Sequence, residues 1–175
     1  MNLRLAGIIK ESVVDGPGIR FVIFAQGCIH GCKNCHNSET WDPERGYTVT
    51  IDELYQQISE VKLIKGVTFS GGEPFLQAES LAALGKRIKQ AGLDLVTYSG
   101  YTFEELKKKG ETEKTVRELL ELTDILIDGP YIDEQKDLNL PFRGSANQRI
   151  LDVPKSIALN QAIEITIETK LLGEW

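Results

Sequence analysis

Cys28, Cys32 and Cys35 are the only cysteines in this 175-residue chain. They are separated by three and then two residues, in a stretch that also carries Gly27, His30, Gly31 and His36. Such spacing lets three thiolates converge on one soft metal centre, and the glycines give a short loop the freedom to turn. A structural zinc site takes four protein ligands, so His30 or His36 would have to complete it. An iron-sulfur cube is also usually held by four cysteines, so three leave one iron without a protein ligand and open to chemistry. A redox-active thiol pair is the third reading of the same spacing. An odd number of cysteines confined to one loop excludes a disulfide framework.

The elements that position this loop alternate between strand and helix. Residues 20–26 are a β-branched and aromatic run, so the glycine- and cysteine-rich stretch from residue 27 to about 45 follows a strand. Thr50 with Glu53 three residues on is a capping-box signature and opens a helix to about Val61. Residues 65–70 form the next strand, which runs into Gly71 and Gly72. From Glu79 to about Gly92 the apolar set Leu81, Leu84, Ile88 and Ala91 recurs at three and four, the pattern of an amphipathic helix that Gly92 stops. Strands are expected at 93–98 and 123–128, short helices at 102–109 and 113–122, and a late strand at 163–168. The run Lys107, Lys108, Lys109 suits the end of a helix, where cations meet the macrodipole.

Strands alternating with helices imply an α/β fold with a parallel sheet covered by crossovers. An eight-fold barrel takes about 250 residues, so this length predicts an incomplete, laterally open parallel (β/α) barrel in a single domain spanning residues 1–175. The unusual loops, 27–45, 70–77, 99–102 and 128–143, all follow strands and should gather at the carboxyl edge of the sheet.

Composition excludes several classes. Hydrophobic residues at 41% and charged residues at 26% describe a globular chain with a real core. Twenty Lys and Arg against 26 Asp and Glu leave a net charge of −6, which argues against a phosphate-driven grip on nucleic acid. No apolar run approaches the roughly 20 residues a bilayer helix needs, and residues 1–11 lack the features of a signal peptide. A cytoplasmic protein with no membrane or nucleic-acid partner is expected.

Three cysteines at this spacing after one strand, then Ser70-Gly71-Gly72-Glu73-Pro74 after the next, resemble the radical S-adenosylmethionine enzymes. The resemblance implies that Cys28, Cys32 and Cys35 hold a 4Fe-4S cluster whose remaining iron is chelated by S-adenosylmethionine. It implies that Gly71, Gly72 and Glu73 meet the methionyl ammonium. Gly71 and Gly72 would let the backbone approach closely, and Glu73 would accept from the cation. Most members of the family carry an aromatic residue just before the third cysteine, near the adenine. Here Lys33 and Asn34 stand there, so the Asn34 backbone or His36 is the expected adenine contact. His30 and His36 read better as loop donors than as iron ligands, since a ligand would block the open iron.

Further segments narrow the resemblance to the glycyl-radical-enzyme activases, and within them to the branch acting on anaerobic ribonucleoside-triphosphate reductase. These segments are residues 14–20, which include Asp15-Gly16-Pro17-Gly18, together with 27–37, 124–131 and 142–149. The resemblance implies a glycyl radical protein as partner and an external low-potential electron donor. It places Asp128 and Ser99, with Tyr98, near S-adenosylmethionine, with a helix cap or turn as the rival for Asp128 and a buried Tyr and a turn Ser as the rival for the other two. It places Asp15 and Arg20 at a peptide entrance, with a turn and strand-end salt bridge as the rival for that pair. Arg143, Asn147 and Arg149 match the late motif without an assigned role. The implied chemistry is carried by the cofactor, so no catalytic acid or base is assigned. The alternatives are a family member working on a small pterin-like substrate, in the manner of 7-carboxy-7-deazaguanine synthase, and a non-catalytic zinc-binding module.

Overall fold

The computed structural model describes residues 1–166. Strands β1 (Asn2–Ser12), β2 (Arg20–Ala25) and β3 (Tyr47–Thr50) precede helix α1 (Ile51–Glu60). Then come β4 (Gly66–Gly71), α2 (Ala78–Gln90), β5 (Asp94–Tyr98), α3 (Phe103–Gly110), α4 (Lys114–Leu122), β6 (Ile125–Asp128), β7 (Arg149–Asp152) and α5 (Val153–Leu159). The seven strands form one sheet in the order β3-β1-β2-β4-β5-β6-β7. The centre, β2-β4-β5-β6, is parallel, as the alternating pattern requires. The flanks are not: β1 pairs antiparallel with both β2 and β3, and β7 pairs antiparallel with β6. The expected all-parallel sheet is therefore corrected to a mixed one with a parallel core.

The alternation along each central strand divides two environments. Phe21, Ile23, Val67, Phe69, Leu95 and Leu126 join the large core beneath α1, α2 and α4. Val96, Ile125, Ile127 and Ile150 form a smaller cluster of their own, against which Tyr98 and Phe142 pack. Both strand faces are thus buried, which is why these runs are continuously apolar. Helix starts follow their local chemistry: Thr50 with Glu53 and Thr102 with Glu105 each form a complete capping box. Lys107, Lys108 and Lys109 occupy the last turn of α3. The late strand expected at 163–168 is not formed within the described residues, where only Glu164 makes an isolated bridge, to Leu151. Its remainder, and Trp175, lie outside them.

Arg20 corrects another expectation. It begins β2, in register with Gly66 and Asp94, so it lies about 16 Å along the strand from the carboxyl edge and cannot line an entrance there. Its guanidinium is fully buried, donating to Thr68 Oγ1 (2.7 Å), Pro17 O (3.0 Å) and Val67 O (2.8 Å). Asp94 Oδ1 stands 2.5 Å from Nη2 as its charge partner. Burial lowers the Arg20 pKa, and Asp94 opposes that shift. Arg20→Met should cost about 3–5 kcal/mol in chemical denaturation, because it strands three acceptors and one carboxylate. Arg20→Lys should recover only part of that loss, since an ammonium cannot reproduce the fork.

Candidate functional site

The carboxyl ends of β2, β4, β5 and β6 open onto a cavity of about 620 Å³, within the range of small-molecule sites. Phe24, Ser70, Gly71, Gly72, Tyr98, Ser99, Gly100 and Gly129 line its floor, and Cys28, Cys32 and Cys35 line one wall. The sequence-predicted loops do gather at this edge.

The cysteine loop leaves the sheet through a narrow neck. Gly27 N donates to Thr40 O (2.7 Å) and Cys28 N to Trp41 O (3.1 Å), while Gln26 Nε2 donates to Glu39 O and Asp42 O. The next loop is pinned to the same neck, since Gly72 N donates to Ala25 O and Glu73 N to Gly27 O, both at 2.8 Å. A Cβ at Gly72 would stand 2.2 Å from Gly27 O, and one at Gly71, whose φ is +94°, 2.6 Å from Ala25 N. The two glycines are needed because backbone meets backbone here.

All three thiols are free and half-buried. Burial pushes the Cys28 thiol up, the backbone N–H of His30 opposes this, and the charges of Glu73, Cys32 and Cys35 add to the rise. Among the described residues no group of three or more His, Cys, Asp or Glu side chains is set to hold a single metal ion. A cube of iron and sulfide needs ligands spread around a volume instead of a point, each thiolate meeting a different iron. Three free thiols that all line one open cavity are compatible with that requirement.

Glu73 is a correction. Expected to meet a ligand's ammonium, its carboxylate is fully buried and already occupied. It pairs with His30 Nε2 (2.6 Å) and accepts from Ser99 Oγ (3.0 Å), Gly100 N (2.9 Å) and Phe75 N (3.0 Å). It ties the cysteine loop to the ends of β4 and β5, and Ser99 spends its hydroxyl on this knot while still lining the cavity. Asp128, also buried, does not face the cavity. It accepts from Phe103 N (2.7 Å) at the start of α3 and from Arg149 Nε (3.0 Å), so the cap-and-ion-pair reading replaces a cofactor contact. Asn34 is exposed and donates to Asp133 Oδ2 (2.7 Å), away from the cavity lining. His36 does line the cavity, as do His30 and Asp15.

The late motif folds back on the loop after β6. Gln148 Nε2 donates to Gly129 O, Asn147 Nδ2 to Pro130 O, and Arg143 Nη1 to Gln148 O. Sequence reasoning missed Tyr131, Gln148, Trp41 and a wall of Leu138, Leu140, Pro141, Phe142 and Gly144, all of which line the cavity. For Tyr131 a signal existed in the aromatic residue of the 124–131 segment. Arg149 also pairs with Glu104 (2.7 Å), whose carboxyl is held below the usual glutamate range mainly by that hydrogen bond. A depressed folded-state pKa contributes stability above the unfolded value that is lost as pH falls through the folded one. The stability difference between the wild type and Glu104→Gln, followed by thermal denaturation, should therefore narrow below about pH 4.

A family model described as "4Fe-4S single cluster domain" matches residues 14–151, which include all three cysteines. The anaerobic ribonucleoside-triphosphate reductase-activating protein of Haemophilus influenzae is 37% identical over 148 residues, 79% of this chain and 90% of that protein. Its counterpart in Vibrio cholerae is 36% identical over 146 residues, with the same coverage. The chain belongs to the family of anaerobic ribonucleoside-triphosphate reductase-activating proteins. The cofactors of this family are a 4Fe-4S cluster and S-adenosylmethionine. The pyruvate formate-lyase 1-activating enzyme of Escherichia coli is also similar, 32% identical over 179 residues, 98% of this chain and 69% of that enzyme. The crystal structure of QueE from Escherichia coli is similar at TM-score 0.47 and 18% identity, covering 58% of this chain and 54% of that one. Among the described residues no helix is long and apolar enough to cross a membrane.

Proposed function

We propose that this chain installs a glycyl radical on an anaerobic ribonucleoside-triphosphate reductase. The observation that carries the reading is the meeting of three free thiols with the Ser70-Gly71-Gly72 backbone on one cavity at the carboxyl edge of a parallel sheet. Cys28, Cys32 and Cys35 hold the cluster and leave one iron free. When bound there, the cluster and S-adenosylmethionine would supply the chemistry: one electron from an external low-potential donor would release methionine and a 5′-deoxyadenosyl group able to take hydrogen from a glycine α-carbon. The protein's part is to orient and shelter: strand-end carbonyls near Ser70 and Gly71 accept from the ammonium, and the cavity walls exclude water. Among the described residues that line the cavity, Arg143 is the one Lys or Arg side chain, and it suits the methionyl carboxylate.

The sheet is read as an incomplete, laterally open barrel forming one domain, because among the described residues β3 and β7 are opposite edges that do not pair. An open side admits a peptide loop, and the exposed Val13, Val14 and Leu138 at the cavity give that loop an apolar rim. A cytoplasmic setting follows from the partner. The test is anaerobic incubation of the reconstituted, reduced protein with S-adenosylmethionine and the reductase. A glycyl doublet in electron paramagnetic resonance is expected. Turnover of a pterin-like molecule with no doublet, or a colourless protein with stoichiometric zinc, would overturn the reading.

A further inference from the structure

Beyond the thiols, one wall of the cavity is aromatic, and its construction is unlike the rest. Tyr131 follows β6, and its ring centroid lies 5.3 Å from that of His36, with the planes tilted by 56°. Both rings line the cavity, His36 exposed and Tyr131 half-exposed, so they keep faces uncovered by protein. Of the other aromatic residues on the cavity, Phe24, Trp41, Tyr98 and Phe142, the last two are spent elsewhere: they pack on the cluster of Val96 and Ile125, and the Tyr98 hydroxyl donates to Phe142 O.

The Tyr131 ring is held from two sides. Its hydroxyl donates to Asp133 Oδ1 (2.9 Å), whose other oxygen accepts from Asn34 Nδ2 (2.7 Å) in the cysteine loop. Lys33 Nζ pairs with Glu134 Oε1 (3.2 Å) alongside, so the turn after β6 is clasped to the cysteine loop. Behind the ring stands Gly144, where a Cβ would come within 3.1 Å of Tyr131 Cδ2 and 3.3 Å of Cε2. A larger residue at 144 would force the ring to shift by a few tenths of an ångström. A ring backed by glycine and anchored through its hydroxyl is oriented, with its free face available.

S-adenosylmethionine has two chemically different ends. The methionyl end is a zwitterion and suits the backbone groups and Arg143; the adenine is flat and apolar-faced and needs a ring. We propose that Tyr131, with His36 beside it and Gly144 behind it, is the platform on which the adenine stacks, an inference that rests on the cavity being the S-adenosylmethionine site. The Asn34 side chain serves the clasp that holds this ring.

The test is equilibrium dialysis on the anaerobically reconstituted protein, with S-adenosylmethionine, 5′-deoxyadenosine and methionine as three separate ligands, and iron content as the check on integrity. Tyr131→Ala should weaken S-adenosylmethionine and 5′-deoxyadenosine about tenfold, about 1.4 kcal/mol. Methionine affinity and iron content should stay unchanged, and Tyr131→Phe should bind nearly as the wild type. Equal affinity of Tyr131→Ala and wild type for the nucleoside ligands overturns the platform while leaving the proposed function standing. Equal weakening of methionine overturns it too, since the cavity as a whole would have changed. If the wild type binds no S-adenosylmethionine, the functional reading falls and the platform with it.

Discussion

Cys32→Ala should give a folded, colourless protein that binds less iron than the wild type and cleaves no S-adenosylmethionine above background. The loss should exceed a thousandfold, because without the cluster there is no electron to break the sulfonium bond, and that corresponds to more than about 4 kcal/mol of barrier. Stability should hardly change. The thiol is half-buried in a loop outside the hydrophobic core, and its neighbours are held by their own backbone bonds at Gly27, Cys28 and Thr40. A midpoint within about 3 °C of the wild-type apoprotein is the expected thermal result. Iron analysis, visible absorption and detection of 5′-deoxyadenosine check the first part. A variant that retained full iron and cleavage would remove Cys32 from the ligand set.

Glu73 should behave in the opposite way. Glu73→Leu leaves His30, Phe75 N and Gly100 N facing an apolar group in a buried place, so about 3–5 kcal/mol should be lost from the apoprotein. Glu73→Gln keeps the shape and one good acceptor, and a smaller loss of about 1–3 kcal/mol is expected. Chemical denaturation of the iron-free protein reads both. Were Glu73 chiefly a receptor for a ligand's ammonium, Glu73→Gln would leave the apoprotein's stability unchanged and alter only affinity for S-adenosylmethionine. The five contacts around its two oxygens predict the reverse ordering, with stability falling first.

The central strands were legible because each is a β-branched run buried on both faces, so no partner had to be known to recognise it. Helices α1 and α2 declared themselves through the Thr50–Glu53 cap and the spacing of Leu81, Leu84 and Ile88. The antiparallel flanks were hidden for physical reasons. In β1 only Leu3, Leu5 and Ser12 are buried and Gly7 interrupts the run; β3 is four residues that merge into the cap of α1; β7 is four residues that follow a turn-rich stretch. The three thiols and the glycine pair stood out as candidates because their spacing is local, and the fold brings them to one cavity. Glu73 and Asp128 were misassigned for the opposite reason. A carboxylate after a strand has the same local signature whether it faces a ligand or is consumed by His30, Ser99, Phe103 and Arg149, and those residues are distant in sequence. Tyr131 acquires its place only when the turn at 131–135 folds over residues 33–36.

The neck at Gly27, Cys28, Thr40 and Trp41 bears on how such a protein would survive air. In small zinc-dependent domains the metal's binding energy is the folding energy, so losing the metal means losing the fold. Here the neck hydrogen bonds belong to backbone groups that need no metal, and the strands below them are covered by a core the cysteine loop does not enter. Oxygen that dismantles the cluster would therefore leave an intact frame with an empty mouth. Repair becomes a delivery problem, needing reduced thiols, iron and sulfide, and its pace is set by those small species instead of by a chain that has to find its fold again.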